Sequence, residues 1–314
     1  MAAALANWNG AAHIDRCLSA LYAQTIALDE VVIVDNGSTD GSVEWIEQHY
    51  PHATLLYNPE NLGYCVGYNR AIAATSTSLV LILNTDVFLD PCYVETACEV
   101  FTREDLTSAV TGQFFEEGTQ QQISGGFGLR RQMRIVPESP LGEEREVFGV
   151  SGAAALFRRS ALEEASVDGE IFDTDYFSYG EDIDLAWRLR LLGWQARYTP
   201  EAKAHHVGSG SLSGRLRFVD KPAFFQRHVL KNRYLTVAKN ASAAQLPEFA
   251  FSLLLSEFLL WPYLLLHKPL RIPYLLGTWW DVLRLLPRAW RRRRELHGRL
   301  RASSASIRPF LRGF

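Results

Sequence analysis

The chain has 314 residues, 47% of them hydrophobic, enough for a substantial core and, as a prior, about two domains. A net charge of −3 conceals an asymmetry: positions 284–314 hold ten Arg and one Glu, which leaves −12 on the remainder. A basic tail on an acidic body points to an anionic surface as the tail's partner, and the absence of any nucleic-acid-reading module in the body argues against nucleic acid. Cys17, Cys65, Cys92 and Cys98 form no CxxC pair, so reduced, cytosolic thiols are expected rather than a disulfide frame or a zinc site. The opening MAAALANWNG has no charged n-region and meets Asn7 too early for a signal peptide, so the body is expected in the cytoplasm.

In chain order, the first 110 residues alternate strand-like and helix-like segments. After a short, Ala-rich first strand come LDEVVIVD (28–35), helix-like SVEWIEQHY (42–50), strand-like ATLLYN (53–58), a helix over 63–75, a strand over 79–83 and a helix over 91–102. Such alternation predicts a mostly parallel, doubly wound α/β sheet with helices on both faces, whose strands read as continuous apolar runs. The stretch 112–148 is polar and Gly-rich and reads as loops able to order over a ligand. GEDIDLAWRLRLLGW (180–194) reads as a helix stopped at Gly193, and QARYTP as a short strand running into EAKAHHVGSGS.

From about 213 the character changes. FAFSLLLSEFLLWPYLLL (249–266) is strongly apolar but contains Glu257 and Pro262, which makes it a poor membrane-spanning helix. IPYLLGTWWDVLRLLPRAWRRRR mixes Trp and Leu with Arg, as suits a helix lying in a membrane interface over anionic head groups. The competing reading is a helical subdomain packed on the body. The division is therefore 1–211 and a helical, amphipathic, membrane-associated region at 212–314.

Ligands of doubly wound sheets collect at the carboxyl ends of strands. Three strands here end in polar clusters: Asn7-Trp8-Asn9, the Asp35 to Asp40 run DNGSTD, and Asn84-Thr85-Asp86. Each alone is ordinary turn chemistry, and Asp40 by itself reads as a helix N-cap. Three on one edge suggest a site. Asp86 suits Mg²⁺ or Mn²⁺ shared with a phosphate. Glu181-Asp182-Ile183-Asp184 places three acids in four residues, more than a helix dipole asks for, and an ionised Asp can accept a hydroxyl proton. His205-His206 adds a candidate metal or phosphate contact.

Taken in order, NWNG (7–10), VDNGSTDGS (34–42), NLGYCVGYNRAI (61–72), LILNTD (81–86), SGAAALFRR (151–159), YGEDIDLAWRL (179–189), HHVGSGS (205–211) and KNRYL (231–235) resemble inverting family 2 glycosyltransferases of the GT-A fold. The nearest subgroup is rhamnosyltransferase-like, acting in cell-surface polysaccharide synthesis. The resemblance covers about 1–240 and implies transfer of a sugar from dTDP-rhamnose or a UDP-sugar to a glycan or polyprenyl-diphosphate-linked acceptor, with inversion, at the inner face of the membrane. It implies that Asn7, Trp8, Asn9, Asp35 and Asp40 serve the nucleoside, that Asn61, Gly63, Asn69, Asn84 and Thr85 line the donor site, and that Asp86 holds Mg²⁺ or Mn²⁺. It makes Asp182 the general base, Glu181 its orienting partner, and His206, or else His205, a further metal ligand.

Two features depart from the family. Asn84 stands where a full DxD motif has its first Asp, and the first strand is Ala-rich where β-branched residues are usual. A sugar-1-phosphate nucleotidyltransferase would need a basic, Gly-rich loop after the first strand, but no Lys or Arg precedes Arg16. A non-catalytic nucleotide-sugar-binding protein at the membrane would not need the Glu181-Asp182 pair. A dinucleotide-binding dehydrogenase lacks its GxGxxG.

Overall fold

The computed structural model describes residues 1–117, 121–207 and 217–313. β1 (Ala2–Asn7), α1 (Ile14–Tyr22), β2 (Glu30–Asp35), α2 (Ser42–His49), β3 (Thr54–Tyr57), α3 (Gly63–Ala73) and β4 (Leu79–Asn84) alternate as the apolar runs predict. β5 (Val87–Leu89), α4 (Tyr93–Arg103) and β6 (Thr107–Glu116) follow, then the short strands β7 (Gln122–Ser124), β8 (Gly126–Arg130), β9 (Arg134–Pro137), β10 (Arg145–Val147) and β11 (Gly149–Val150). β12 (Ala154–Arg158), α5 (Arg159–Ala165), α6 (Glu181–Leu191) and β13 (Gln195–His206) complete the body. The C-terminal extension is α7 (Ala223–Asn240), α8 (Leu246–His267) and α9 (Ile272–His297).

Among the described residues the main sheet has ten strands in the order β10-β13-β6-β12-β4-β1-β2-β3, with β5 added to β13 and β7 to β6. The run β4-β1-β2-β3 is parallel throughout. β12 is antiparallel to β4 and β6, and β13 is parallel to β6. The continuous apolar runs follow from burial on both faces. In β2, Val32 and Val34 join one core cluster while Val31 and Ile33 join the other; in β4, Val80 and Ile82 divide from Leu81 and Leu83 in the same way. One face is covered by α1, α2 and α4, the other by α3, α5 and α6.

The Ala-rich β1 lies at the centre of the sheet, between β2 and β4, and is fully buried through Leu5. Its small side chains let α3 approach: a Cβ on Gly67 would lie 3.0 Å from the Cβ of Ala6. β-Branched residues would push that helix away.

Two sequence expectations need correction. The stretch 112–148, expected as loops, is largely strand, and β8 pairs with β9 and with β11 in a separate small sheet. Its glycines mark close packing: a Cβ on Gly126 would lie 2.7 Å from Val147 Cγ1, so the residues that read as loop punctuation are where strands come too near for a side chain. QARYTP is the start of a strand of 12 residues, not a short one. Its pairing with β6 shifts register between Tyr198 and Lys203, around Pro200. The irregularity absorbs the missing N–H, and the strand runs on to His206.

The extension shares the body's core: Leu235, Phe249, Leu253, Ala289, Leu296 and Phe310 belong to the same cluster as α3 and α6. Many of its arginines pair with the body, while Arg284, Arg294 and Arg308 are exposed. Arg292 pairs with Glu170, Asp173 and Asp175, Arg288 with Asp175, Arg291 with Asp168, Arg301 with Glu164 and Arg312 with Glu138. Arg293 and Arg299 donate to body and α7 carbonyls. An anionic partner of the basic tail is thus the acidic body itself. The expected boundary at 211/212 and the GSGS stretch lie outside the described residues.

Candidate active site

β1, β2 and β4 end together because they are parallel and in register, with Asn7 opposite Asp35 and Ala6 opposite Asn84. Their polar ends interlock. Asn7 Nδ2 donates to Asp35 Oδ1 (2.9 Å) and to the hydroxyls of Ser38 and Ser42 (3.2 and 2.9 Å). Asp35 is buried and also accepts from the backbone N–H and hydroxyl of Ser38 (2.9 and 2.6 Å). The N-cap of α2 is Gly41, in the left-handed region, not Asp40 as its sequence position suggests; Asp40 instead accepts from Ser42 N–H and from Ala11 N–H across the loops (3.1 and 2.8 Å). Asn9, at φ 51°, accepts from Thr39 N–H (2.9 Å). Trp8 is 56% exposed, so its indole is the open aromatic face at this edge.

The residues from the third motif work locally. Asn61 Oδ1 accepts from Gly63 N–H (2.9 Å) at the start of α3, and Gly63, at φ 87°, leaves no room for a Cβ beside Phe177. Asn69 holds the backbone of Phe172 at both ends, donating to its carbonyl (2.7 Å) and accepting from its N–H (2.8 Å). In this structure Asn69 therefore braces the segment leading to α6.

Asp86 follows β4 in a tight turn with Thr85, and β5 then pairs with the end of β13, Val87 opposite His206. Val207 N–H donates to the Asp86 carbonyl (3.0 Å). This register puts His206 Nε2 3.4 Å from Asp86 Oδ2. His205, on the opposite face of the strand, lies 3.7 Å from Asp90 and stacks on Phe115. The His206 Nε2 is buried without a hydrogen-bond partner among the described residues. A buried imidazole nitrogen facing a carboxylate is chemistry that fits a divalent cation. Among the described residues no group of three or more His, Cys, Asp or Glu could hold a metal, so a cation here would complete its shell from substrate and water. Asn84 Oδ1 accepts from Tyr68 Oη (2.8 Å).

The three acids of α6 separate by their partners. Asp184 is fully buried and meets Arg188 (2.9 Å), Lys239 (2.9 Å) and Asn240 Nδ2 (2.8 Å). Glu181 and Asp182 have no cationic partner among the described residues, and Glu181 Oε2 is buried with no hydrogen-bond partner. Asp182 lines an apolar cavity with Val150, Phe172, Leu185 and Leu189. Burial pushes its carboxyl up to about 6; burial and the charge of Asp182 push Glu181 up to about 8. Near neutral pH the two adjacent carboxyls therefore titrate as a pair, with burial and mutual repulsion opposing ionisation of both at once. Tyr64 and Tyr68 of α3 stand between the centres, their rings 4.1 Å apart. Burial raises the Tyr68 phenol, with Asp86 and Glu181 both adding to the rise, so the field of both centres reaches one side chain.

The sequence profile of glycosyl transferase family 2 matches residues 4–165. The chain belongs to glycosyl transferase family 2. This glycosyltransferase is 32% identical over 235 residues to the N-acetylglucosaminyl-diphospho-decaprenol L-rhamnosyltransferase of Mycobacterium tuberculosis, a match covering 62% of this chain and 74% of that one. Its fold resembles S. aureus TarS 1-349 in complex with UDP, at TM-score 0.62 and 14% identity over 98% of this chain and 90% of that one. It also resembles GalNAc-T7 with UDP, GalNAc and Mn²⁺, at TM-score 0.60 and 13% identity over 76% of this chain and 47% of that one. The parallel β4-β1-β2-β3 edge and the C-terminal helices are those of a GT-A glycosyltransferase.

Sequence reasoning missed Ser38 and Ser42, which knit the donor-side loops, and Tyr68. It noted KNRYL only as a matching segment, without seeing that Asn232 within it binds the loop before α6.

Proposed function

We propose that this family 2 glycosyltransferase transfers a sugar, with inversion, from a nucleoside-diphosphate donor to a hydroxyl of a lipid-linked glycan acceptor in cell-surface polysaccharide synthesis. The donor proposed is dTDP-rhamnose, with UDP-sugars second. The observation that carries the reading is the Glu181-Asp182 couple, which no cation meets among the described residues, one carboxyl raised to about 6 and the other to about 8, with Tyr68 in the field of both Glu181 and Asp86. The name of the mycobacterial relative supports the donor sugar and the diphospho-polyprenol acceptor.

Asp182, ionised at neutral pH, accepts the proton of the acceptor hydroxyl as its oxygen attacks the anomeric carbon from the face opposite the leaving diphosphate. Glu181, protonated and adjacent, donates a hydrogen bond that orients Asp182 or the acceptor. Asp86 and His206 would hold a Mg²⁺ or Mn²⁺ ion, which supplies positive charge against the diphosphate; the Mn²⁺ that accompanies UDP in the GalNAc-T7 structure agrees with this. Trp8, with its exposed indole, offers a stacking face for the base, and Asn7, Asn9, Asp35 and Asp40 shape the loops around it. One displacement, without a covalent intermediate, gives inversion.

We further propose that the enzyme works on the cytoplasmic face of the membrane, held by α8 and α9. α8 has 22 residues, and an 18-residue stretch of it has mean hydropathy 1.8, long and apolar enough to cross a membrane. Its one mid-helix acid, Glu257, is turned inward to Arg233 and Trp261, while Phe251, Leu254, Phe258, Leu259, Leu265 and Leu266 are exposed. A helix apolar on its outer face and bound to the body on its inner face suits an interfacial position.

The test is a transfer assay with dTDP-rhamnose, UDP-glucose and UDP-N-acetylglucosamine against a polyprenyl-diphosphate N-acetylglucosamine acceptor, with the product's anomeric configuration read by NMR. An inverted rhamnoside is expected. Retained configuration overturns the single displacement, and no transfer from any donor overturns the substrate class. Flotation of the full chain with anionic liposomes checks the membrane reading, which fails if the protein stays at the bottom of the gradient.

A further inference from the structure

The segment 173–180 delivers Glu181 and Asp182 to the site by a route that side chains disfavour. Phe177 has φ 64° and ψ −64°, and Ser178 N–H donates to the Tyr176 carbonyl two residues back (2.8 Å). That is a γ-turn of the rare, strained hand. Tyr179 is at φ 73° and Gly180 at φ 94°. Three residues in four thus sit in left-handed territory, and only one is glycine. A conformation of this kind persists only where its surroundings over-determine it.

The surroundings come from α7. One amide, Asn232 Nδ2, donates to the carbonyls of Tyr176 (3.1 Å), Ser178 (2.9 Å) and Tyr179 (2.7 Å). Asn232 is 1% exposed, and its own Oδ1 has no partner among the described residues. It is oriented to donate, at the cost of leaving its acceptor unmet. Its Cβ lies 3.8 Å from where a Cβ of Gly180 would be, so it stands directly behind the N-cap of α6. Lys231 donates to the Asp175 carbonyl (2.5 Å) and His228 Nδ1 lies 3.1 Å from the Tyr176 carbonyl, but no other side chain among the described residues engages the Ser178 or Tyr179 carbonyls.

We propose that Asn232 is a positioning residue for catalysis: by gathering the carbonyls of Tyr176, Ser178 and Tyr179 it fixes the strained lead-in to α6 and so sets where the Glu181 and Asp182 carboxyls stand. The extension beyond 217 is then part of the catalytic apparatus. This rests on the reading of Asp182 as the base, and the experiment separates the two.

Asn232→Ser keeps a donor but loses volume; Asn232→Leu keeps volume but loses the donor. Both are assayed in the full chain beside Asp182→Asn, with donor KM, kcat, and nucleoside-diphosphate affinity measured for each. The expected result for Asn232→Leu is a kcat lower by about 100-fold, the scale of an ångström-sized misplacement, with donor KM and diphosphate affinity within about twofold of wild type. Asn232→Ser is expected to recover much of that kcat. A packing role ranks the two variants the other way, and that order overturns the proposal. So does wild-type kcat in both, or a loss of cooperative thermal unfolding in both, which makes Asn232 a residue of the fold rather than of the site. If Asp182→Asn turns over normally, the base assignment fails whatever position 232 does.

Discussion

The donor edge and the base side are built in opposite ways. At the donor edge, Asn7, Asp35, Ser38, Asp40 and Ser42 hydrogen-bond to one another across loops that follow directly from their own strands, with Asn7 Oδ1 left over, without a partner among the described residues. At the base side, Glu181 is buried and Asp182 half-buried, both without cationic partners among the described residues, and the loop that carries them is held from outside by α7 and α9. The first arrangement is prepared by local sequence. The second keeps a buried carboxylate in an unfavourable protonation balance, and distant charges supply the rigidity that makes this tolerable.

The largest expected effect sharpens the contrast in chemistry. Asp182→Asn should lower kcat by about 10²–10⁴-fold, the usual contribution of a general base, while nucleoside-diphosphate affinity holds. Equal loss of both in a folded variant would put Asp182 in the binding half instead. Next is the clamp from α9. Arg292 is 2% exposed against Asp173 at 4%, and Arg292→Met leaves Asp173 and its neighbours short of a buried cation. A loss of about 3–5 kcal/mol of stability is expected, read as a fall in Tm; an unchanged Tm would mean that the body stands without the extension's charges.

A smaller effect is expected at the cation-binding edge. His206→Ala should weaken Mn²⁺-dependent binding of nucleoside diphosphate by about tenfold, roughly 1.4 kcal/mol, and His205→Ala should not. Calorimetric titration distinguishes them, and equal effects would dissolve the distinction that the β13 register draws. A comparable steric test is Gly10→Ala, whose Cβ would collide with Asn7 Oδ1; overpacking predicts a loss of about 1–3 kcal/mol, read by chemical denaturation.

The mildest perturbation is pH. Asp182 and Glu181 are raised from 3.8 and 4.5 to about 6 and about 8. A group raised on folding favours the fold while protonated, so their contribution is complete below about 4 and is lost as pH climbs through 6 and 8. Activity moves the other way, rising as Asp182 ionises through about 6. Opposite slopes of turnover and Tm between pH 5 and 7 are the expected signature. Parallel slopes would assign that titration to other groups.

Much of this protein is written locally. Alternation of apolar runs identified the parallel edge, because strands covered on both faces have no polar side to show. The strand-end clusters located the donor edge, because parallel strands in register end together. What sequence left open needed partners far along the chain. It left the choice between His205 and His206 open; the pairing of β5 with β13 turns His206 toward Asp86. It counted three acids at α6; only the packed helices divide Asp184, held by Arg188 and Lys239, from Glu181 and Asp182, which no cation meets among the described residues. It read a basic tail as facing an anionic surface; the fold gives many of those arginines the body's own carboxylates. Strand and helix are decided by neighbours within a few residues. Which carboxylate is neutralised, and which is left to react, depends on Arg188 one helical turn away and on Lys239, which only the packing of α7 against α6 brings to Asp184.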